Sequence, residues 1–225
     1  MTVLVAGGTG ALGEAVVQEL IASGHAVTAT WIADRERERI EADLGDAVEL
    51  LRADMTDAGA AAAAVDAVDD LEAVVNLVGG FRAGPKVHET DPDDFERLIR
   101  LNVTPAFMLA RAAMPRLVES GGGAFVCVSA RAALRPFPGA AGYVTSKAAV
   151  LALVQALDAE YRDAGVRCNA ILPSVIDTPA NREASPDADY SKWVSPGEIA
   201  KVVRFLVSDD SAPTSGAGIP VYGRA

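Results

Sequence analysis

The sequence predicts a single α/β domain built on a doubly wound parallel sheet of seven strands. Three observations predict this class. Short apolar runs alternate with helical segments along the whole chain. The runs are continuously apolar, which is typical of strands that are buried on both faces of a parallel sheet. The 225 residues contain no linker or internal repeat, so one domain covering residues 1–225 is expected.

The first elements set this alternation. Thr2–Ala6 is an apolar run that ends in glycines, which predicts a strand. Ala11–Ser23 has apolar residues at helical spacing and is followed by a glycine, which is typical of a helix end. Ala26–Trp31 is rich in strand-favouring residues. Arg35–Leu44 is a charged amphipathic segment, which predicts a second helix.

The middle of the chain continues the pattern. Val48–Leu51 is predicted as a strand, Ala58–Val68 as an alanine-rich helix and Ala73–Val78 as a strand that ends at a glycine pair. Pro92 follows an aspartate, which is a typical first helical position, and the helix is expected to continue to about Glu119.

The last third carries the remaining elements. Ala124–Ser129 and Val166–Leu172 are predicted strands, with a weakly charged helix, Tyr143–Tyr161, between them. A capping box with proline inside it opens a helix at Ser195 that ends near residue 207. Ile219–Tyr222 is the final strand. Residues 178–193 lack periodicity and contain two prolines, so we predict a substrate lid there.

Composition excludes several classes of protein. The net charge of −11 argues against binding to nucleic acid or to an anionic membrane. Cys127 and Cys168 lie in apolar runs and are interpreted as reduced, buried thiols. His25 and His88 are too isolated for a metal site, so no metal is expected. No apolar run is long enough to span a membrane, and a cytoplasmic protein is expected.

A glycine-rich segment follows the first strand and opens the first helix. Its glycines match G-x-G-x-x-G in a strand–turn–helix setting, which predicts a nucleotide phosphate loop. The predicted cofactor-binding residues of this loop are Gly7, Gly8, Thr9, Gly10, Ala11, Leu12 and Gly13.

The end of the second strand bears on the identity of the nucleotide. An acidic residue there would bind the adenosine ribose and favour NAD, but the strand ends at Trp31. Arg35 and Arg37 follow nearby. The missing acid and the two arginines favour NADP, with NAD as the alternative. Equally, the arginines could form an ordinary solvated helix face.

Tyr143 and Lys147 are spaced i, i+4 at the start of a helix, so both side chains lie on one face. An ammonium near a phenol lowers the pKa of the phenol. Such a tyrosine can donate a proton to a carbonyl or remove one from an alcohol. Beside a nucleotide loop, this pair predicts a catalytic site.

With these motifs the whole chain resembles the short-chain dehydrogenase/reductase family, with Ala11 at the position of a usual glycine. The resemblance implies a Rossmann-like fold and gives Tyr143 and Lys147 the roles of catalytic pair. It also implies that Asn102, near a kink expected at Pro105, is a catalytic residue that anchors a water relay. The further cofactor contacts that it implies are Asp54, Met55, Asn76, Val78, Gly79, Pro173, Val175 and Thr178.

One departure from the family concerns its catalytic serine. That serine normally lies thirteen residues before the tyrosine, where this chain has Ala130, and the serine present is Ser129. Because successive strand residues face opposite sides, Ser129 is expected either to face away from the substrate or to act where the strand end turns. Two roles therefore remain open for Ser129: a catalytic residue, or a structural hydroxyl.

The segment from Ala130 to Leu134 and the segment from Asp177 to Trp193 resemble the dihydropteridine reductase branch, which also lacks that serine. Trp31 departs from that branch, which carries an acid at this position. The resemblance implies hydride transfer from NAD(P)H to a small carbonyl or quinonoid, pterin-like substrate. The alternatives are a 3-oxoacyl- or ketone-reducing enzyme and, in another class, a non-catalytic NAD(P)-binding regulator.

The predicted helix from Tyr143 onward is apolar around much of its circumference. One side can pack on the sheet, and the other would be an exposed patch too large for a monomer. We therefore expect a homodimer or homotetramer, with a small molecule as the only other partner.

Overall fold

The computed structural model describes residues 1–225 and contains seven strands, all parallel. They are β1 (Thr2–Ala6), β2 (Ala26–Trp31), β3 (Glu49–Arg52), β4 (Leu71–Asn76), β5 (Gly123–Val128), β6 (Val166–Pro173) and β7 (Gly218–Val221). Their order in the sheet is β3-β2-β1-β4-β5-β6-β7. The predicted doubly wound sheet of seven strands is confirmed.

The chain contains eight α-helices. They are α1 (Ala11–Ala22), α2 (Asp34–Leu44), α3 (Ala58–Asp66), α4 (Pro92–Asn102), α5 (Thr104–Glu119), α6 (Ala141–Tyr161), α7 (Pro179–Ala184) and α8 (Pro196–Val207). The capping box of α8 is present, since the Glu198 N–H donates to Ser195 Oγ at 3.2 Å and the Ser195 N–H donates to Glu198 Oε2 at 3.0 Å. No helix combines the length and the apolar character that crossing a membrane requires.

The strands place alternate side chains in two separate cores. Val3 and Val5 of β1 pack with α1, α2 and α8 on one face, whereas Leu4 of the same strand packs with α3, α5 and α6 on the other. The two cores are of similar size, 24 and 21 buried residues, so both faces of the sheet are covered. This burial on both sides explains why the strands are continuous apolar runs in the sequence.

The single helix expected from Pro92 to Glu119 is instead two helices that meet at Val103. Pro105 has no N–H, so it cannot donate to the carbonyl of Leu101 one turn earlier. The break follows from this missing bond, and it leaves Asn102 as the last residue of α4.

The lid segment also differs from the expectation of no regular structure, since it contains α7.

The strand order reverses between β1 and β4, which are neighbours in the sheet although two strands separate them in the chain. In doubly wound proteins a ligand binds in the crevice that opens at such a reversal, beyond the carboxyl ends of the strands. The loops that follow β1 and β4 meet here: the Leu77 N–H donates to the Ala6 carbonyl at 2.9 Å. The fold therefore brings the glycine loop beside the Gly79-Gly80 turn.

Candidate active site

The loop from β1 to α1 is shaped by glycines. Gly7 has a φ of +73°, in the left-handed region that favours glycine. A Cβ at Gly13 would lie 2.2 Å from the Gly7 carbonyl oxygen, and one at Gly8 would lie 2.7 Å from Ala29 Cβ. The N–H groups of the first turn of α1 have no side-chain cap. This tight turn with open amides at a helix N-terminus fits a pyrophosphate.

Two arginine side chains contact the ring of Trp31 at the end of β2. The Arg37 guanidinium carbon is 5.4 Å from the Trp31 ring centroid, and that of Arg52 is 5.7 Å away. Arg35 is exposed and makes no ion pair. The sequence did not predict a role for Arg52, because this residue reaches Trp31 only through the pairing of β3 with β2.

An acidic side chain also reaches the glycine loop. The Thr9 hydroxyl donates to Glu36 Oε2 at 3.2 Å, and Arg39 donates to the Thr9 carbonyl at 2.8 Å. Glu36 comes five residues after Trp31, on α2, so it was not recognised as a neighbour of the loop. Its carboxylate lies beside the glycine loop, although the end of β2 itself carries no acid.

The loops after β3 and β4 place the next predicted contacts. Asp54 is exposed, and its Oδ1 accepts from the Thr56 N–H and hydroxyl at 2.8 Å each, which lowers the pKa of the Asp54 carboxyl. Asn76 is buried, and its Oδ1 accepts from the Val78 N–H at 3.1 Å. Met55 belongs to the core on the α3 side. The Asn76 and Met55 side chains thus shape the loops from inside the protein.

Tyr143 and Lys147 lie on the first turns of α6 and line the same cleft. Lys147 is buried, and its Nζ donates to the Val128 carbonyl at 3.0 Å. Burial disfavours charge on both groups: it raises the pKa of Tyr143 to about 12 and lowers the pKa of Lys147 to about 8. The expected lowering of the tyrosine pKa by lysine is not found here, because burial is the dominant influence on the phenol.

Asn102 uses its side chain to hold the turn after β4. Its Oδ1 accepts from the Gly80 N–H at 2.9 Å, and its Nδ2 donates to the Gly80 carbonyl at 3.1 Å and to Ser146 Oγ at 3.0 Å. A Cβ at Gly79 would lie 2.5 Å from Asn102 Oδ1 and 3.0 Å from Lys147 Nζ. Only glycine therefore fits between these two side chains. Ser146, which the sequence reasoning did not single out, completes this cluster.

Ser129 follows directly after β5 and is buried. Its hydroxyl donates to the Lys147 carbonyl on α6 at 2.7 Å. Ser129 and the neighbouring Ala130 both line the cleft, but the hydroxyl is engaged with the helix.

These elements enclose a cleft of about 660 Å³ at the carboxyl ends of the strands. Its lining includes four of the predicted cofactor contacts, Leu12, Gly79, Pro173 and Val175, together with Tyr143 and Lys147. Thr178 is not part of its lining; the Thr178 hydroxyl caps α7 by accepting from the Asn181 N–H at 3.3 Å.

One wall of the cleft is aromatic. Phe81 packs edge-on against Tyr143, with ring centroids 4.9 Å apart, and Phe137 lies 6.5 Å from Phe81. Arg131 and Arg135 also line the cleft. Both arginines and Phe137 were not predicted as site residues. They lie in the irregular segment between β5 and α6, where no sequence periodicity indicates which way a side chain points.

This chain is similar in sequence and fold to known proteins. The family model described as short chain dehydrogenase matches residues 1–189. The 2-(R)-hydroxypropyl-CoM dehydrogenase of Xanthobacter autotrophicus is 29% identical and covers 98% of this chain and 96% of its own. The 2,5-dichloro-2,5-cyclohexadiene-1,4-diol dehydrogenase of Sphingobium indicum is 30% identical over 98% of this chain and 94% of its own.

A solved structure described as a short chain dehydrogenase/reductase family protein is 30% identical, with a TM-score of 0.92 over 99% of this chain and 96% of its own. The fold and site thus define a nicotinamide-dependent oxidoreductase on a Rossmann-like domain. The chain belongs to the short-chain dehydrogenase family.

Proposed function

We propose that this enzyme transfers hydride between NADP and a small carbonyl or alcohol substrate, with Tyr143 as the proton donor or acceptor. The observation that carries the proposal is the placement of Tyr143 and Lys147 in one cleft that the glycine loop borders through Leu12. The nicotinamide group, when bound, supplies or accepts the hydride. The residues of the chain bind and orient both reactants and move the proton.

Tyr143 is suited to donate a proton in the direction of reduction. The phenol is protonated at neutral pH, and its hydroxyl makes no hydrogen bond within the protein. The hydroxyl is therefore free to meet a substrate oxygen. Lys147 sits one turn further along α6 and holds the strand end through the Val128 carbonyl. In this role it fixes the helix that carries the phenol.

NADP is the proposed cofactor because Arg37 and Arg52 flank Trp31 where the adenosine would lie. Guanidinium groups bind a 2′-phosphate, which NAD lacks, and Arg37 would exchange its present ion pair with Glu41 for this contact. NAD is the second candidate, and Glu36 favours it. A carboxylate beside Thr9 can accept hydrogen bonds from ribose hydroxyls and would repel a phosphate.

A quinonoid, pterin-like substrate is the second candidate for the reaction, in line with the resemblance to the dihydropteridine reductase branch. The engaged hydroxyl of Ser129 favours it, since this hydroxyl is not free to polarise a single carbonyl oxygen. Reduction of a delocalised ring needs less of such polarisation than reduction of a ketone.

A homodimer or homotetramer and a cytoplasmic location complete the proposal. Phe107 of α5 is half exposed, and Ala152 and Ala156 form part of an exposed small-residue face on neighbouring α6.

Residues 178–193, which contain α7, would act as the substrate lid, since Asn181 and Ala184 line the cleft.

The test is oxidation of NADPH and NADH with a panel of ketones, aldehydes, 3-oxoacyl thioesters and a quinonoid dihydropterin. Turnover that disappears in Tyr143→Phe supports the proposed chemistry. Turnover that survives in this variant would contradict it, and the substrate ranking separates the two candidate reactions.

A further inference from the structure

The charges that line the cleft differ in sign from those of the whole chain. The chain has 31 acidic and 20 basic residues, yet no Asp or Glu lines the cleft. Arg131, Arg135 and Lys147 do line it. A cleft whose lining carries three basic side chains and no acidic one attracts anionic groups, even in a protein of strongly negative net charge.

Two of these cations are available to a ligand. Arg135 lies one helical turn after Arg131, since its N–H donates to the Arg131 carbonyl at 2.9 Å. Both residues line the cleft. Neither guanidinium makes an ion pair or a side-chain hydrogen bond. Lys147 differs from them, because it is buried and donates to Val128.

The position of Arg131 is supported by packing. Its guanidinium carbon lies 5.1 Å from the ring centroid of Tyr222, which holds the planar group by a cation–π contact. A guanidinium kept in place in this way loses less conformational freedom when it binds a carboxylate.

The phosphates of the cofactor do not account for this pair. The arginines follow β5, whereas the glycine loop follows β1, and β4 lies between these strands. Two strand spacings separate the sites, roughly 10 Å. The same cleft is walled by Phe81 and Phe137, which are 62% and 42% exposed. Exposed aromatic rings on a cleft wall indicate an apolar, flat occupant.

We propose that this cleft selects substrates whose reacting carbonyl or alcohol is carried on an apolar, aromatic body that ends in a carboxylate, and that Arg131 and Arg135 bind this carboxylate. The inference rests on the proposed function, since it names the substrate class of the same site. Arg131 and Arg135 are specificity-determining residues in this proposal, and Tyr143 remains the proton donor.

The first test measures binding without turnover. Benzoate and benzamide, which have the same shape but differ in charge, are titrated calorimetrically into the wild-type enzyme and into an Arg131→Gln/Arg135→Gln variant. We expect benzoate to bind at least about tenfold more tightly than benzamide in the wild type, and this preference to disappear in the double variant. Lys201→Gln, which removes an exposed charge on α8, is the matched control and should retain the preference.

The second test measures kcat/KM for 4-formylbenzoate and its neutral methyl ester, with the Kd of NADPH measured in parallel. The double variant should lose at least about tenfold on the acid, with little change on the ester or in NADPH affinity. Wild-type enzyme that binds benzoate no better than benzamide would overturn the inference, and this result does not depend on any variant folding.

A weaker Kd for NADPH in the double variant would assign the arginines to the cofactor and would also overturn the inference. Benzoate binding that depends on the arginines, without turnover of any aldehyde, would support the anion site while contradicting the proposed function.

Discussion

Ser129→Ala should destabilise the enzyme slightly and leave its catalysis nearly intact. The buried hydroxyl donates to the Lys147 carbonyl at 2.7 Å, so it is engaged in holding α6. Removal of a buried neutral hydrogen bond costs about 0.5–1.5 kcal/mol. For a domain of this size the melting temperature should fall by about 1–6 °C. The loss in kcat/KM should stay below about tenfold, equivalent to ~1.4 kcal/mol.

The assay combines steady-state oxidation of NADPH with thermal unfolding followed by circular dichroism. The matched variant is Ala130→Ser, which adds a hydroxyl at the neighbouring residue of the cleft lining. It should raise activity on simple ketones, because an added donor to a developing oxyanion is worth up to about 10²–10³-fold. A hundredfold loss in Ser129→Ala at unchanged melting temperature would refute the reasoning, because the hydroxyl would then act on the substrate.

Three further predictions address the proton, the cofactor and the buried lysine. Tyr143→Phe should lower kcat by ~10²–10⁴-fold at unchanged stability, because the phenol hydroxyl makes no hydrogen bond within the protein; a loss of less than tenfold would contradict its role. We expect a higher KM for NADPH, but not for NADH, in Arg37→Gln and in Arg52→Gln. Glu36→Gln should weaken the binding of NADH alone. KM values measured for both cofactors check these expectations, and a wild-type preference for NADH would contradict the NADP proposal. Lys147 has a pKa near 8 when folded and above 10 when unfolded, so between these values the unfolded state binds more protons. Urea unfolding from pH 7.5 to 9 should therefore show the wild type gaining stability relative to Lys147→Met as pH rises, and an unchanged difference would contradict the burial of a titrating amine.

The sequence predicted the sheet well because burial on both faces makes each strand a continuous apolar run. Thr2–Ala6 and Ala26–Trp31 match the observed strands at both ends. The break at Val103 was not predicted as a helix end, since the residues around it remain compatible with a helix and only Pro105 removes a bond. Local sequence patterns predict helices and strands, but they do not show at which residue a missing backbone hydrogen bond divides one helix into two.

The candidate site was predictable where its residues share one local segment. The glycine loop and the Tyr143/Lys147 pair are of this kind. Arg52 was missed because it meets Trp31 only through the register of β3 on β2. Glu36 was missed because α2 folds back over the glycine loop. Such neighbours depend on tertiary packing, which a single sequence does not encode in its periodicity.

The bonds between β5 and α6 explain how this chain holds Tyr143. Lys147 Nζ donates to the Val128 carbonyl, and the Ser129 hydroxyl donates back to the Lys147 carbonyl. These two reciprocal bonds fix the first turns of α6 against the end of the strand. Asn102 adds a third connection through Ser146. Tyr143 lies on the same turns, and its hydroxyl makes no hydrogen bond within the protein, so the position of the ring depends on these neighbours. Ser129 is therefore placed to act as a positioning residue, which is how a serine one residue away from the family position remains useful to the site.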